Sequence, residues 1–406
     1  MAELAGPTRT GTGRRRAAAP RAAVLLAVVA LVLGLAVLAH RYLLARLVFE
    51  PGVPEPFRSA LVALVAALGV AMVLEPFASR LLPPRRARLL VAPGMLWMGA
   101  LFLTLNLTLA SDLLLWLLGA GFAPGEAVDP QAPARLRALA VAGLAGAATA
   151  LGVRGALRAP VHRRLELRLA RWPAALDGFR IVQISDLHVG PLLGRRFAAH
   201  VTARVNALAP DLVAVTGDLV DGSAARLRDE VAPFAGLRAP HGVYFVTGNH
   251  DWYSGADDWV AVVRGLGMRV LRNERVEIEA AGARFDLAGV DDHRGDWLHG
   301  SPCDLPRALA GRDPARPVVL LAHDPTTFAE ASRSGVDLQL SGHTHGGQIW
   351  PFRWLVRLAV PWVEGLHRRG ASLLYVSRGT GFWGPPLRLL APAEITELVL
   401  RPEEAA

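Results

Sequence analysis

Lysine is missing from this 406-residue chain, so all 44 basic residues are Arg, a bias of coding and not a sign of function. Cysteine is nearly missing as well. The single Cys303 excludes an intrachain disulfide, fits a reducing compartment and leaves no thiolate set for a structural zinc site. Charged residues make up only 19% of the chain against 52% hydrophobic. They are also unevenly shared. Through Arg171 there are 20 Arg against 8 acids, a balance of +12, and from Trp172 onward 24 Arg against 27 acids, a balance of −3. A DNA- or RNA-binding domain would carry its own basic face, so the mildly acidic C-terminal part argues against a nucleic-acid partner.

What the chain has instead is long apolar runs. Four precede residue 160, with spans expected at about 22–41, 59–76, 89–110 and 137–155. Each approaches the ~20 apolar residues that cross a bilayer. Buried core helices of a soluble protein would show a polar face, which these lack. A cleaved signal peptide would account for the first run and its Arg cluster, but not for the other three. The fourth, "ALAVAGLAGAATALGV", is rich in Ala and Gly, which suits close helix packing in lipid. A further run, "LLLWLLGAGF" at 113–122, follows Asp112 and is too short to cross alone.

Arg residues cluster in the N-terminal tail (Arg9, Arg14, Arg15, Arg16, Arg21), between the second and third runs, and after the fourth. By the positive-inside rule, four spans then place both termini in the cytoplasm of a bacterial cell, under a multi-pass inner-membrane segment. If the fourth run does not cross, the C-terminal domain lies on the other side. The segment 158–178 reads as an Arg-rich linker, either an amphipathic helix at an anionic membrane surface or an ordinary solvated helix.

From residue 179 to 406 strand-length apolar runs alternate with helical patterns such as "GRRFAAHVTARVNALAP", where Phe197, Val201, Val205 and Leu208 share a face. This implies an α/β domain with a layered sheet. Five strand-like runs end in polar residues: Asp186 and His188 after "FRIVQIS", Asp218 after "DLVAVT", Asn249, His250 and Asp251 after "GVYFVT", His323 after "PVVLLA", and His343 and His345 after "VDLQL". Each alone is a common turn or surface pattern. Five in succession point to the edge where open α/β sheets bind ligands.

In order and spacing, Asp186-x-His188, Gly217-Asp218, Gly248-Asn249-His250-Asp251, His323 and Gly342-His343-x-His345 resemble the five signature blocks of the calcineurin-like metallophosphoesterases. "GHTHGGQIWPF" is similar to the bacterial subgroup whose N terminus is attached to the membrane. The resemblance implies an αββα sandwich and a dinuclear metal site. Asp186, His188 and His345 would hold one divalent ion and Asn249, His323 and His343 the other, with Asp218 bridging. Imidazole with carboxylate suits Mn, Fe or Zn. His250 would stabilise the transition state or protonate the leaving oxygen, Asp251 would orient it, and a metal-activated hydroxide would be the nucleophile. Asp291, Asp292 and His293 follow another strand-like run and are candidates to line the substrate cleft. His200, His241, His299 and His367 lack strand-end context and read as ordinary surface or core residues.

The expected function is a membrane-anchored phosphohydrolase acting on a phosphodiester, phosphomonoester or pyrophosphate. A non-catalytic membrane protein that uses a phosphoesterase-like domain for ligand binding is the alternative. "WPFRWLVRLAVPWVEGLHRR" (350–369) interleaves Trp with Arg. That composition suits a bilayer interface and an amphiphilic, lipid-linked substrate, and equally a hydrophobic segment packed on the sheet.

Overall fold

The structure is a computed structural model that describes residues 18–119, 129, 131–293 and 303–403. His299 and the tail residues Arg9, Arg14, Arg15 and Arg16 lie outside them. The apolar runs form four helices long and apolar enough to cross a membrane: α1 (Ala18–Leu44), continued by a π-helical turn (Ala45–Phe49), α2 (Phe57–Leu81), α3 (Pro84–Leu117) and α4 (Ala132–Leu157). At 1.5 Å per residue, the 34 residues of α3 extend for about 51 Å, well beyond the ~30 Å of a hydrocarbon core.

The chain divides into two compact units, residues 1–67 with 101–145 and residues 68–100 with 146–406. In the first, Asp112 does not end the third helix, contrary to the expected break before "LLLWLLGAGF". Its charge is matched by Arg137 at 2.8 Å, Arg46 at 3.1 Å and the Tyr42 hydroxyl at 2.5 Å, so α3 runs through it.

In the second unit the segment expected to be a linker is a strand. β1 (Val161–Leu169) pairs in parallel with the C-terminal strand. In "VHRRLELRL" the apolar residues at 165, 167 and 169 alternate with Glu166 and Arg168, a period of two that a helix cannot bury. Leu167 and Leu169 are buried between the sheets, while Arg164 and Arg168 face outward.

The strands that follow are β2 (Phe179–Ile184), β3 (Leu212–Thr216), β4 (Val243–Val246), β5 (Arg269–Val270), β6 (Glu274–Ala280), β7 (Ala283–Gly289), β8 (Val318–Leu321), β9 (Leu338–Ser341), β10 (Gly365–Arg369), β11 (Ser372–Val376) and β12 (Glu394–Pro402). They build two six-stranded sheets, β1-β12-β2-β3-β4-β5 and β10-β11-β9-β8-β7-β6. β2 to β5 are mutually parallel, as are β7, β8, β9 and β11. A shared core that includes Trp172, Phe179, Phe285, Leu340 and Tyr375 fills the space between the sheets. α5 (Arg195–Ala207), α6 (Ala224–Val231) and α8 (Ala256–Gly265), the last preceded by the short α7 (Asn249–Tyr253), cover the outer face of the first sheet through Val201, Leu227 and Trp259. Helices Leu305–Leu309 and Phe328–Ala331 cover the second. The αββα sandwich is therefore present.

This unit also includes the membrane-helix segments 68–100 and 146–157. The loop between β11 and β12 packs Leu387 against Gly99 of α3 and Gly152 of α4, where any Cβ would press on it. The Arg388 backbone N–H donates to the Gly152 carbonyl at 2.8 Å. Ala78, Ala87, Val91 and Met95 surround Leu192, which follows β2. Glycine in the fourth helix thus has a specific use, which is to receive this loop.

Because β1 belongs to the sandwich, Leu167→Ala is expected to cost about 2–5 kcal/mol and Glu166→Ala less than about 0.5 kcal/mol. Denaturant unfolding of the full chain in detergent, followed by Trp fluorescence, checks this. Equal, negligible effects would identify the segment as a linker after all.

Candidate metal centre

The parallel strands β2, β3, β4, β8 and β9 deliver their C-terminal ends to one edge, and the polar residues anticipated there converge. Asp186, His188 and His345 place ligand atoms within 4.8 Å of one another, and so do Asp218, His323 and His343. Asn249 Oδ1 completes the second group, 2.8 Å from His343 Nδ1 and 3.2 Å from His323 Nε2. Asp218 Oδ2 stands between the groups, 3.2 Å from His323 Nε2 and 3.7 Å from His188 Nε2.

The backbone is strained to achieve this. Asp186, His188, Asp218, His343 and His345 all have positive φ, between 45° and 75°. Residues with a Cβ seldom adopt that region, and clusters of such residues mark sites where geometry is imposed by the surroundings. Two glycines make the close approach possible. A Cβ on Gly342 would collide with Asp186 and Ser185, and one on Gly248 with the Asp218 carboxylate. Backbone amides then fix the carboxylates: His343 N–H donates to Asp186 Oδ1 and His250 N–H to Asp218 Oδ1, both at 2.8 Å.

The donor set fits cations. His323 Nδ1 lies 2.8 Å from the Thr216 carbonyl and must carry the proton there, which turns its Nε2 lone pair toward Asp218 and Asn249. His188 Nδ1 is likewise engaged by Asp221 at 2.9 Å, so its Nε2 faces His345 Nε2 at 3.0 Å. Asp186 Oδ2 is buried and has no hydrogen-bond partner among the described residues. Lone pairs converging on one another in a buried space repel unless positive charge lies between them. Ionisation follows the same field. Burial lowers the basicity of His323, but the Asp218 carboxylate outweighs it and holds the imidazole well above its usual range, so that positive charge, a proton or in its place a cation, is favoured between Nε2 and Asp218. Burial and the neighbouring His188 hold His345 well below its own. Asp186, His188, Asp218, Asn249, His323, His343 and His345 are the residues that would hold two divalent ions.

The residue set differs from expectation at one carboxylate. Asp251 does not touch the His250 ring. It accepts the backbone N–H groups of Asp218, Leu219 and Gly248 at 2.8–2.9 Å and so braces the turns that carry the ligands. The partner of His250 is Asp221, whose Oδ1 is 2.7 Å from His250 Nδ1 and also takes His188. Burial opposes ionisation of Asp221, but the two imidazoles win and hold its carboxyl below the usual range. Burial likewise disfavours charge on His250, yet Asp218 and Asp221 raise it to about 9. The spacing "GDLVD" contained the signal for Asp221, an acid one strand-bridge beyond Asp218. Arg388 was also missed. It is buried, with Nη2 3.2 Å from His345 Nδ1 and bonds to the carbonyls of Arg378, Gly381 and Ala391.

Asp291, Asp292 and His293 join neither cluster. Asp291 is held by Thr247 at 2.9 Å and Arg272 at 3.0 Å, and His293 Nε2 lies 3.1 Å from Thr327 Oγ1. His200 is exposed, His241 packs on Phe179, and His367 bonds the Glu364 carbonyl.

Residues 179–347 match the model of the calcineurin-like phosphoesterases. An uncharacterized metallophosphoesterase of Aquifex aeolicus is 35% identical over 225 residues, 55% of this chain and 85% of that protein. The chain belongs to the calcineurin-like metallophosphoesterase family. A transmembrane protein with metallophosphoesterase domain from Bos taurus is 40% identical over 292 residues, 68% of this chain and 66% of its own. An uncharacterized metallophosphoesterase of Helicobacter pylori is 38% identical over 229 residues, 56% and 61%. The match thus spans just under two thirds of the length of these last two relatives. A bovine metallophosphoesterase named for its membrane segment shows that this arrangement is not confined to bacteria.

Asp221→Asn is expected to weaken metal binding by about 10–100-fold, as loss of a carboxylate behind a ligand histidine does, while leaving unfolding nearly unchanged. Asp251→Asn is expected to do the reverse, destabilising the fold by about 1–3 kcal/mol because an acceptor is lost to the buried backbone N–H groups it holds. Calorimetric titration with Mn²⁺ and thermal unfolding of both variants separate the two roles.

Proposed function

We propose that the chain is a membrane-anchored phosphohydrolase that uses two divalent ions to cleave a phosphodiester, phosphomonoester or pyrophosphate bond. The observation that carries this reading is the pair of donor clusters joined by Asp218, with a histidine bound to a carboxylate at the rim. Two ions held there would supply Lewis-acid charge to the phosphoryl oxygens and lower the pKa of a water toward 7. Everything else falls to the chain. Asp186 and Asp218, each fixed by a backbone amide, keep their negative charge aimed into the site. His250 has Nδ1 on Asp221, so Nε2 is the nitrogen available to a leaving group. With its pKa raised to about 9, the ring is protonated at neutral pH. As water oxygen bonds to phosphorus and the bond to the leaving oxygen breaks, that oxygen takes the Nε2 proton, which the proton lost by the water later replaces. Tyr253 and Trp383 flank the imidazole at ring distances of 5.4 and 5.6 Å and narrow the access of solvent to it.

The clustering of Arg after the fourth span supports a cytoplasmic catalytic domain beneath a bacterial inner membrane.

With Mn²⁺ and bis(p-nitrophenyl) phosphate, the full chain in detergent is expected to release nitrophenol. His250→Ala should lower kcat by about 10²–10⁴-fold with metal content unchanged by elemental analysis. Asp218→Asn should lose metal and turnover together. Absence of any metal-dependent hydrolysis of mono- and diesters would leave a binding role. A green fluorescent protein fused after Ala406 is expected to fluoresce, and a periplasmic reporter at the same point to stay silent; the opposite pattern reverses the orientation.

A further inference from the structure

The catalytic domain exposes its large apolar side chains in one place. Leu358 is 86% exposed, Leu390 76%, Trp354 56%, Leu355 55% and Trp350 and Trp383 49% each. Elsewhere in 161–403, among the described residues, only Val161, Tyr253 and Leu366 are exposed large hydrophobics outside this stretch and its Phe352. The helix Arg353–Ala359 has no buried residue. A soluble protein seldom presents so concentrated an apolar patch to water without a covering surface.

The patch is one surface. Ile349 forms a bridge with Leu389, the Trp350 N–H donates to the Leu389 carbonyl at 3.2 Å, and the Gln348 side chain donates to the Trp383 carbonyl at 2.8 Å. It continues into the membrane helices. Leu387, two residues from Leu389, sits on Gly99 of α3 and Gly152 of α4. The other loops that frame the centre bear on the same helices: Leu192 packs on α3, and the Arg226 guanidinium bonds the Arg80 carbonyl at the end of α2. Finally, the patch reaches the chemistry, because Trp383 stands edge-on to His250 and the turn His345–Gly347 leads directly into Trp350.

We propose that Trp350–Ala359 together with Leu390 lies in the interfacial layer of the bilayer beside α3 and α4, and that the metal centre takes its phosphoester from that surface. The substrate class is a lipid-borne phosphoester, an amphiphile with its phosphate at headgroup depth. Three features argue for lipid as the occupant. The patch is continuous with the spanning helices, it pairs Trp with Leu as interfacial segments do, and the exposed Arg357 lies on the same short helix, placed to meet anionic headgroups. The substrate assignment rests on the phosphohydrolase reading, whereas the docking surface does not.

The test uses the full chain in nanodiscs of phosphatidylcholine and phosphatidylglycerol. In a Cys303→Ser background, an environment-sensitive fluorophore on Leu358→Cys is expected to be quenched by lipids with a nitroxide near the headgroup. A probe that stays in water, or that is shielded yet unquenched because a second copy or a protein covers it, overturns the docking surface. With Mn²⁺, hexadecyl p-nitrophenyl phosphate should exceed ethyl p-nitrophenyl phosphate in kcat/KM by about tenfold or more, as expected when the alkyl chain partitions with the enzyme into the bilayer. Trp354→Glu with Leu358→Glu should remove that preference through KM and leave turnover of the ethyl ester unchanged. Equal use of both esters by the wild type, or equal loss of both in the variant, overturns the substrate class. If neither ester is cleaved while the probe is quenched, the phosphohydrolase reading fails and the docking surface stands.

Discussion

Negative charge and nitrogen lone pairs, brought together where water cannot separate them, set the terms for the rest of this structure. Asp186 and Asp218 are buried, their neighbours are imidazoles turned lone pair first, and Asp186 Oδ2 has no hydrogen-bond partner among the described residues. Five of the ligand residues hold left-handed backbone, at roughly 1–3 kcal/mol each for residues in such regions. Such an arrangement persists only because the sheets over-determine it. Every candidate ligand lies within four residues of the end of a strand whose side chains are locked in the hydrophobic layers, so the turns have little freedom to relax.

Stability is thus concentrated beneath the site and charge above it. Asp251 belongs to the first role: from the base of the turns it gathers three backbone amides and keeps the ends of β3 and β4 in register. Asp221 belongs to the second, since one carboxylate oxygen faces both a ligand histidine and the rim histidine, and so ties the state of one ring to that of the other. The two aspartates do opposite work because Asp251 faces N–H groups of the main chain and Asp221 faces imidazoles.

The sequence made the sandwich and the ligands legible for a plain reason. Apolar runs that end abruptly in Asp, His or Asn are conspicuous, and parallel strands bring such ends to one edge whatever the loops do. Residues acting through neighbours were harder to place. Asp251 was adjacent to His250 in the chain and was expected to orient it, but on α7 successive side chains diverge, and Asp221 reaches the ring across a loop. β1 was hidden by its composition. With Arg at 163, 164 and 168 it looked like a surface connector, and only the two-residue alternation of its leucines betrayed an edge strand. Asp112 appeared to end a helix because its partners, Tyr42, Arg46 and Arg137, are far away in the chain. Arg388 stood in an apolar run with no pattern around it and was invisible without the fold.

Arg388 ties two parts of the molecule together. Its backbone is bonded to the fourth membrane helix, while its side chain lies against ligand His345, so one residue belongs to the anchor and to the centre at once. The loop between β11 and β12 is seated on glycines of the long helices, with Leu387 against Gly99 and Gly152 and the Arg388 carbonyl against Gly155. The protein therefore has no severable soluble half. A truncation that begins after the helices would discard an edge strand if cut beyond Leu169, and would in any case strip the floor from the loop that backs His345. For this chain the long apolar helices are part of the scaffolding of the candidate metal centre, in the way a foundation is part of a wall.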